Sequence, residues 1–429
     1  MRDLSLKKII DNGFVRFQSL WNMKVFRYSF LLHIFYYIFS IFLTLIFFPE
    51  KNDFLVYYKV GKVFLNNPLE LYNPANYNWP FRYLPLSVFL FIPFYLLGLQ
   101  LGFIIFNLLN LFLNYLICIL LYKIIKLTKF INHGENENRI VKYICLYLIC
   151  LPQIFNYILG QINLYITLLI LLSLYFFIKY RKSKTDFIAS FFLGLSIILK
   201  PTSIFMIPFL VVVSYDYQNK KLKLNIVRSI LRIFGVIFPI ALNFIMFFII
   251  PGLLEGFINV NLTGSETLIP NHSFSITKIL LNFLLYIGIN ANDINVLLIF
   301  SIISTILLLI GFTRYVITRV KENIIIYSYT IGLLIMFLAY FDSWDHHLLN
   351  LIPLLIIVIF NMPKSSKIIR IYIKPSFIFL CFLDLAFMGL FWIINPDVNN
   401  PVFPFNFIPT IILCFLFYGI SKYLIKKPN

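Results

Sequence analysis

The chain has 429 residues, of which 61% are hydrophobic and only 12% are charged, and its formal net charge is +19. Soluble domains average about 45–50% apolar and about 25% charged residues, so this composition excludes a soluble globular protein and predicts an integral membrane protein. Long apolar runs recur and strand-like alternation is rare, which favours an all-α bundle over an outer-membrane barrel. The basic excess does not indicate nucleic-acid binding, because Lys and Arg accumulate on the cytoplasmic loops of membrane proteins.

Twelve apolar stretches are interpreted as transmembrane helices, each of which needs about 20 apolar residues. In chain order they are residues 28–48, 100–122, 143–159, 163–179, 187–199, 203–215, 231–250, 294–313, 324–341, 347–361, 375–394 and 405–421. The stretches 187–199 and 203–215 are separated only by "KPTS". A short hairpin is therefore the alternative to two full crossings at this place.

The distribution of basic residues predicts the orientation of the chain. Thirty of the 36 Lys and Arg residues fall on one side if both termini are cytoplasmic, as the positive-inside rule expects. Residues 84–98, "LPLSVFLFIPFYLLG", are apolar enough to cross, but a crossing there would turn every later basic loop outward. We therefore predict that they form a helix in the outer interface.

A single membrane domain is predicted over residues 1–429. Its core spans lie within 28–250, its large outer loops are 49–99 and 251–293, and its C-terminal spans lie within 294–421. Chemistry is then expected at the outer face, between these loops and the helix ends.

Six basic residues depart from the positive-inside pattern: Lys51, Lys59, Lys62, Arg82, Lys200 and Lys278. Arg82 in "WPFRYLP" and Lys200 in "LGLSIILKPTS" lie beside apolar segments, where a cation is costly without an anionic partner. At an outer membrane surface the natural anion is the phosphate of a lipid-linked substrate. Snorkelling to lipid headgroups is the alternative.

Three carboxylates stand out. Glu50 and Asp53 directly follow the first predicted span, in "FFPEKNDFLVYYKVGK". A carboxylate in a partly dry cavity can act as a general base, whereas a hydrated juxtamembrane acid would have no catalytic role. Asp384 lies inside a predicted span, where an acid costs roughly 2.5–3.5 kcal/mol on insertion scales, so we expect it to pair with another group or to face a cavity.

Histidines and acids cluster in "YFDSWDHHLLNLIP", residues 340–353. Adjacent His346 and His347 point about 100° apart on a helix, which does not fit a dedicated metal motif. A histidine that donates to a phosphate or sugar is one interpretation, and a polar helix cap is the other. No metal or other cofactor is predicted.

Two other outer elements carry polar groups. The turn "LGQINLY", residues 159–165, presents two amides, and "PNHSFSITK", residues 270–278, leads into a helix whose first backbone amides favour anions.

In chain order, these elements resemble glycosyltransferase family 87, the polyprenyl-phosphate-mannose-dependent membrane mannosyltransferases with the GT-C fold. The matching elements are Asp53 after the first span, Leu71-Tyr72, Tyr83-Leu84-Pro85, Gly160-Gln161-x-Asn163, Gly194 with Lys200-Pro201, Asn271-x-Ser273, and His346 or His347 ahead of Pro353. The chain departs from the family pattern at Leu84 and His272, where the family often has a second Pro and a Gln.

The resemblance implies a GT-C-type bundle of about 12 transmembrane helices with interfacial helices in the first outer loop. It implies an inverting transfer from a polyprenyl-phosphate sugar, which is mannose in this family, to a lipid or glycan acceptor at the extracytoplasmic face of the cell membrane. Asp53 would be the general base. The implied substrate contacts are Arg82, Tyr83, Gln161, Asn163, Lys200, Asn271, Ser273, His346 and His347.

Two other functions remain open at this point. A transporter or flippase of a lipid-linked saccharide would place ionisable residues along several mid-span helices, and here only Asp384 clearly does so. A different GT-C enzyme would use another sugar or transfer it to protein.

Overall fold

The computed structural model describes residues 18, 20–49, 52–128, 136–180, 182–263, 273–320, 322–384 and 407–426. Within these ranges the protein is built from helices and one short hairpin, so the all-α class is confirmed.

The first half contains eight helices among the described residues. They are α1 Lys24–Phe47, α2 Asp53–Asn66, α3 Val88–Leu96, α4 Leu99–Lys126, α5 Asn136–Leu148, α6 Leu151–Leu159, α7 Asn163–Tyr180 and α8 Ser183–Leu199. Single 3₁₀ turns at Pro68–Tyr72, Pro74–Asn76 and Pro85–Ser87 connect α2 to α3. Each begins with proline, whose fixed φ suits the first helical position.

The second half opens with a 3₁₀ helix, Pro201–Leu210, and a hairpin of β1 Val213–Asp216 and β2 Lys221–Leu224. The helices that follow are α9 Ile226–Ile249, α10 Leu253–Ile258, α11 Ile276–Tyr286, α12 Val296–Val316, α13 Ile324–Ala339, α14 Leu348–Asn361, α15 Lys374–Ile378 and α16 Phe407–Ile425. A 3₁₀ turn, Asp345–His347, precedes α14, and π-helical turns flank α15.

Six described helices are long and apolar enough to cross a membrane, which indicates a multi-pass membrane protein. They are Lys24–Phe47, Leu99–Lys126, Asn163–Tyr180, Ile226–Ile249, Val296–Val316 and Ile408–Ile425. The pair Glu137–Leu148 and Leu151–Leu159 is bent by 41° and makes a seventh if it counts as one span. The predicted number of 12 is not confirmed, since the remaining apolar helices have 10–17 residues.

The predicted span 203–215 is wrong over its last residues. The apolar run continues into strand β1, whose Val213 pairs antiparallel with Leu224 of β2. Pro201 begins the preceding 3₁₀ helix and Pro208 lies inside it. Because proline removes a backbone donor and disfavours α-helix at the residue before it, this run forms neither a straight α-helix nor a full crossing.

The segment predicted to be interfacial, 84–98, contains the 3₁₀ turn Pro85–Ser87 and the nine-residue helix α3. A helix of that length reaches about 14 Å, roughly half of a hydrocarbon core. The predicted span 375–394 lies partly outside the described residues.

The buried centre of the bundle is formed by α13 and α14. All residues of α14, and all of α13 after Ile324, are buried by their neighbours. Helices α8 and α9 pack backbone to backbone, because a Cβ on Gly194 would lie 2.5 Å from the Val236 carbonyl oxygen and a Cβ on Gly235 would lie 2.5 Å from that of Phe187. Small residues permit this approach between membrane helices.

Candidate active site

Asp53 begins helix α2 immediately after the first membrane-length helix. The preceding Asn52 caps α2, with its side-chain oxygen accepting the backbone N–H of Leu55 at 2.9 Å. The half-buried Asp53 carboxylate accepts a hydrogen bond from the Gln161 side-chain amide. Burial raises the pKa of Asp53 above its ordinary value, while the Gln161 hydrogen bond and the positive charge of Lys200 oppose that rise. This carboxyl group is therefore a stronger base than a hydrated aspartate.

A left-handed glycine sets the position of Gln161. Helix α6 ends at Gly160, whose φ of +64° is readily adopted only by residues without a Cβ. A Cβ there would also lie 2.6 Å from the Cβ of Phe54, the residue after Asp53. The backbone N–H of Gln161 then donates to the Asn156 carbonyl at 2.9 Å. The turn thus brings Gln161 against the start of α2.

The Gln161 amide bridges the acid and a lysine. Its nitrogen donates to Asp53, and its oxygen accepts from the Tyr57 hydroxyl at 3.1 Å and from Lys200 Nζ at 3.4 Å. Lys200 Nζ also lies 3.4 Å from the side-chain oxygen of Asn163. One side-chain amide therefore fixes the distance between a potential base and a potential phosphate-binding cation.

Lys200 is only 8% exposed and lies where α8 ends before Pro201. Burial lowers its pKa to about 8, while the carboxylates of Asp53 and Asp342 oppose that shift. Its ammonium group lies 5.8 Å from the centre of the Tyr83 ring, within cation–π range. The Tyr83 hydroxyl is in turn 2.9 Å from that of Tyr57.

Arg82 pairs with Asp342, which is 260 residues further along the chain. The distance from Arg82 Nη1 to Asp342 Oδ2 is 2.5 Å, and the indole N–H of Trp344 donates to the other carboxylate oxygen. The sequence correctly indicates that Arg82 needs an anionic partner, but in the structure that partner is a carboxylate of the chain, where we predicted a phosphate.

His346 and His347 lie in the 3₁₀ turn before α14, with ring centres 4.3 Å apart. Burial, and secondly the charge of Lys200, hold the pKa of both rings well below the ordinary histidine value. His347 Nδ1 accepts the backbone N–H of Trp344 at 3.1 Å, so a neutral His347 carries its proton on Nε2. His347 therefore caps this turn and also retains one donor.

Ser273 joins two segments of the site. It is fully buried, and its hydroxyl oxygen accepts the backbone N–H of Ser343 at 3.2 Å. The Phe274 N–H donates to the Ser343 carbonyl at 3.0 Å. These bonds attach the start of α11 to the segment that carries Asp342 and the histidines. Asn271, like Glu50 and His272, lies outside the described residues.

Lys278 is a residue of the site that the sequence analysis left unassigned. It lies on α11 and is 2% exposed, and its pKa is lowered to about 8, chiefly by burial, with the Asp342 carboxylate opposing the shift and Arg82 reinforcing it. The sequence feature that could have identified Lys278 is its place among the six basic residues on the predicted outer side. The structure thus gathers three of those six cations around Asp342.

A ladder of buried asparagines supports the Gly160–Gln161 turn from inside the bundle. The Asn107 amide donates to the Tyr157 carbonyl at 3.1 Å, and the Asn110 amide donates to the Gln161 carbonyl at 3.3 Å. One turn further along α4, Asn114 bonds the Tyr157 hydroxyl at 2.9 Å. These residues occupy one face of α4, so the turn is held from inside the bundle, and Asn110 contacts the site through the backbone carbonyl of Gln161.

Within the described ranges, no group of three or more His, Cys, Asp or Glu side chains is placed to hold a metal ion. The chemistry available to the described residues is a carboxylate base, three cations, two neutral imidazoles and several amides and hydroxyls. This set suits a reaction that removes a proton on one side and stabilises a phosphate on the other.

A sequence model described as glycosyltransferase family 87 matches residues 81–340, which is 260 of the 429 residues. No curated protein and no solved structure matches the chain. The matched range includes Arg82, Gln161 and Lys200. It begins after Asp53 and ends just before Asp342. The position of these two acids in the site is therefore seen in the structure and not in the family match.

Proposed function

The chain belongs to glycosyltransferase family 87, and on that premise we propose that it transfers a sugar from a polyprenyl-phosphate donor to a lipid or glycan acceptor. The observation that carries this proposal is the Gln161 amide, which holds the Asp53 carboxylate on one side and lies 3.4 Å from the Lys200 ammonium on the other. The proposed general base and the proposed phosphate-binding cation thereby contact the nitrogen and the oxygen of one planar amide group.

In the proposed reaction the acceptor hydroxyl attacks the anomeric carbon of the donor. The bond from the acceptor oxygen to that carbon forms as the bond from the carbon to the phosphate oxygen breaks, and the bonding electron pair leaves with the phosphate. Asp53 takes the hydroxyl proton and releases it to solvent after transfer. A single displacement of this kind inverts the anomeric centre, and the raised pKa of Asp53 helps it to accept the proton.

The leaving group gains negative charge, and we assign its stabilisation to Arg82, Lys200 and the remaining N–H of a neutral histidine at 346 or 347. Preorganised donors in a dry site are a large source of catalysis for such charge development. Because a phosphate is stable as an anion at neutral pH, no general acid is needed. Tyr83, Asn163 and residues near Ser273 are proposed to border the sugar.

Several finer points belong to the proposal. Mannose as the donor sugar and the GT-C arrangement rest on the resemblance of the motifs. The outer location of the site, the cytoplasmic termini and the cell membrane rest on the distribution of basic residues, 30 of 36 on the opposite side. No cofactor is required by the proposed chemistry.

The deciding experiment uses purified full-length protein with radiolabelled polyprenyl-phosphate sugars and a total lipid extract. We expect a labelled glycolipid product with at least one donor, and none with the Asp53→Asn variant. The matched control is Asp293→Asn, which removes the same charge from an exposed turn. If no donor yields product but vesicles containing the protein move a lipid-linked saccharide across the bilayer, the protein is a transporter and the proposed transferase function is wrong.

A further inference from the structure

Three cations surround Asp342, and this suggests a role for the acid that the proposed reaction does not yet use. We propose that Asp342 sets the charge that the phosphate site accepts, so that the site prefers a phosphodiester monoanion to a phosphate dianion. The inference rests on the proposed function and names the residue that would select the donor over the leaving product.

Asp342 occupies the middle of the charged cluster. Arg82 binds one carboxylate oxygen at 2.5 Å, and the Trp344 indole binds the other. The same carboxylate is near enough to act electrostatically on Lys200 and on Lys278. Asp342 thus interacts with all three cations of this cluster.

Asp342 is also held in place from behind. Its neighbour Ser343 is bonded through its backbone N–H and C=O to the start of α11, by Ser273 at 3.2 Å and by Phe274 at 3.0 Å. The side chain of Asp342 is only about a third exposed. A carboxylate fixed at both oxygens and at its backbone is expected to remain in the site when a ligand arrives.

The five charged side chains that interact with one another here, three cations and two acids, leave a small positive excess. Arg82, Lys200 and Lys278 contribute three positive charges, and Asp53 and Asp342 contribute two negative charges. The histidines are neutral because their pKa values are well below the ordinary value. The remaining charge of +1 would balance the single negative charge of a phosphodiester donor.

The product of the transfer carries more charge than the donor. A phosphate monoester has about −1.5 to −2 charges at neutral pH, because its second pKa is about 6. Its second charge would exceed the single positive charge that remains among these five side chains and would be repelled by the Asp342 carboxylate, and charge interactions in a partly dry site are several-fold stronger than in water. Asp342 would therefore favour release of the product phosphate.

Binding of two simple probes tests this idea without any transfer reaction. Dodecyl phosphate is the monoester and methyl dodecyl phosphate is the diester, and their Kd values are measured with the full-length protein in nanodiscs at pH 7.5. We expect the wild type to bind the diester more tightly. Asp342→Asn should tighten the monoester about tenfold relative to the diester, as the loss of one nearby negative charge implies.

Three further variants separate a charge effect from a structural one. Asp342→Glu keeps the charge and should keep the wild-type ratio of the two Kd values, and the exposed Asp293→Asn should also leave it unchanged. Lys278→Gln removes a positive charge and should weaken the monoester more than the diester. Equal weakening of the two probes would show that the net charge of the cluster does not set the preference, and this outcome can be observed even if Asp342→Asn folds poorly. A role of Asp342 in merely anchoring Arg82 would weaken both probes equally and would overturn the inference.

The outcome for this inference is distinct from that for the proposed function. If the protein is an active transferase but the ratio of the two Kd values is the same in the wild type, Asp342→Asn and Lys278→Gln, the charge selection is refuted and the transferase function is not. Probe binding with the expected ratios, but no transfer from any polyprenyl-phosphate sugar, refutes the transferase alone. Failure of the wild type to bind either probe refutes the phosphate site and with it both proposals.

Discussion

Two clusters of buried charge among the described residues are built in different ways. At Asp186 on α8 both carboxylate oxygens are taken by guanidinium groups, from Arg228 at 2.6 and 3.0 Å and from Arg232 at 3.2 Å, and the acid is 1% exposed. In the candidate site the half-buried Asp53 is bound by an amide, and Lys200 reaches only amide oxygens at 3.4 Å.

The difference separates a structural ion pair from a binding site. Bidentate guanidinium–carboxylate pairing leaves little capacity for another ligand, and the Asp186 cluster joins α8 to α9. The Lys200 ammonium makes only long hydrogen bonds to neutral amide oxygens, so its positive charge can still bind an anionic ligand. Mutations in the Asp186 cluster are expected to lower the free energy of unfolding, and mutations in the candidate site are expected to lower the rate of transfer.

The largest expected effect is that of Asp53→Asn on turnover. Loss of a general base lowers the rate of transfer by about 10²–10⁴-fold. Since the folded state raises the pKa of Asp53, its charged form opposes folding at pH 7, and the neutral asparagine is expected to leave the melting temperature unchanged or higher. Initial rates and thermal unfolding of the same preparation measure both. Wild-type turnover in the variant would remove Asp53 from the mechanism.

Asp186→Asn should give the opposite pattern. Removing one partner of a buried ion pair costs about 3–5 kcal/mol of unfolding free energy, and the partial exposure of Arg228 places the expected cost at the lower end. Transfer per folded molecule should remain close to wild type. Thermal unfolding in detergent, together with rates normalised to folded protein, checks this. A selective loss of turnover without loss of stability would contradict the assignment of this cluster to folding.

The pH dependence of donor use gives a smaller but more specific test. The pKa of Lys200 is lowered to about 8, so its ammonium is charged below that pH and neutral above it. We expect kcat/KM for the donor to fall above about pH 8, tenfold per pH unit when one charge is essential. Lys200→Arg keeps the charge to higher pH and should move this decline upward.

Lys278 has a similarly lowered pKa and is the matched control for that experiment. If Lys278→Arg moves the alkaline decline while Lys200→Arg does not, then Lys278 is the essential cation. Below neutral pH the rate should fall as Asp53 becomes protonated, at a pH above the usual aspartate value because its pKa is raised. An alkaline limb insensitive to both substitutions would argue against a lysine in donor binding.

The sequence predicts the parts of this molecule that depend on local signals. Composition alone predicts a helical membrane protein, and the Lys200-Pro201 and Gly160-Gln161 turns are visible because proline and glycine restrict or extend the backbone locally. The structure brings the side chains of Gln161 and Lys200, which these two turns carry, close to Asp53.

Long-range pairs could not be predicted in the same way. Nothing near Arg82 indicates that Asp342 will bind it, and nothing near Ser273 indicates its bond to Ser343, because each partner is chosen by the packing of the whole bundle. The hairpin after residue 210 was missed for another reason. Hydropathy is averaged over a window, and the apolar residues of a strand and of a helix contribute to it equally.

The asparagine ladder of α4 was visible in the sequence, at the helical spacing of 107, 110 and 114, and it leads to the smallest predicted effect. Asn110→Ala removes the hydrogen bond from the Asn110 amide to the Gln161 carbonyl at 3.3 Å, together with a longer one to the Asn107 side-chain oxygen at 3.4 Å. A hydrogen bond of this kind contributes about 0.5–1.5 kcal/mol, so a turn loosened by its loss should lower kcat about two- to tenfold with little change in the KM of the donor. Ser173→Ala is the control and should lower only stability, because it removes a buried hydrogen bond between Ser173 on α7 and the Tyr329 hydroxyl on α13, neither of which is bonded to the Gly160–Gln161 turn. If both variants lose stability alike and neither loses kcat, then the ladder supports the fold but does not position Gln161. Buried polar residues of α4 would then resemble the Asp186 cluster more than the active site they border.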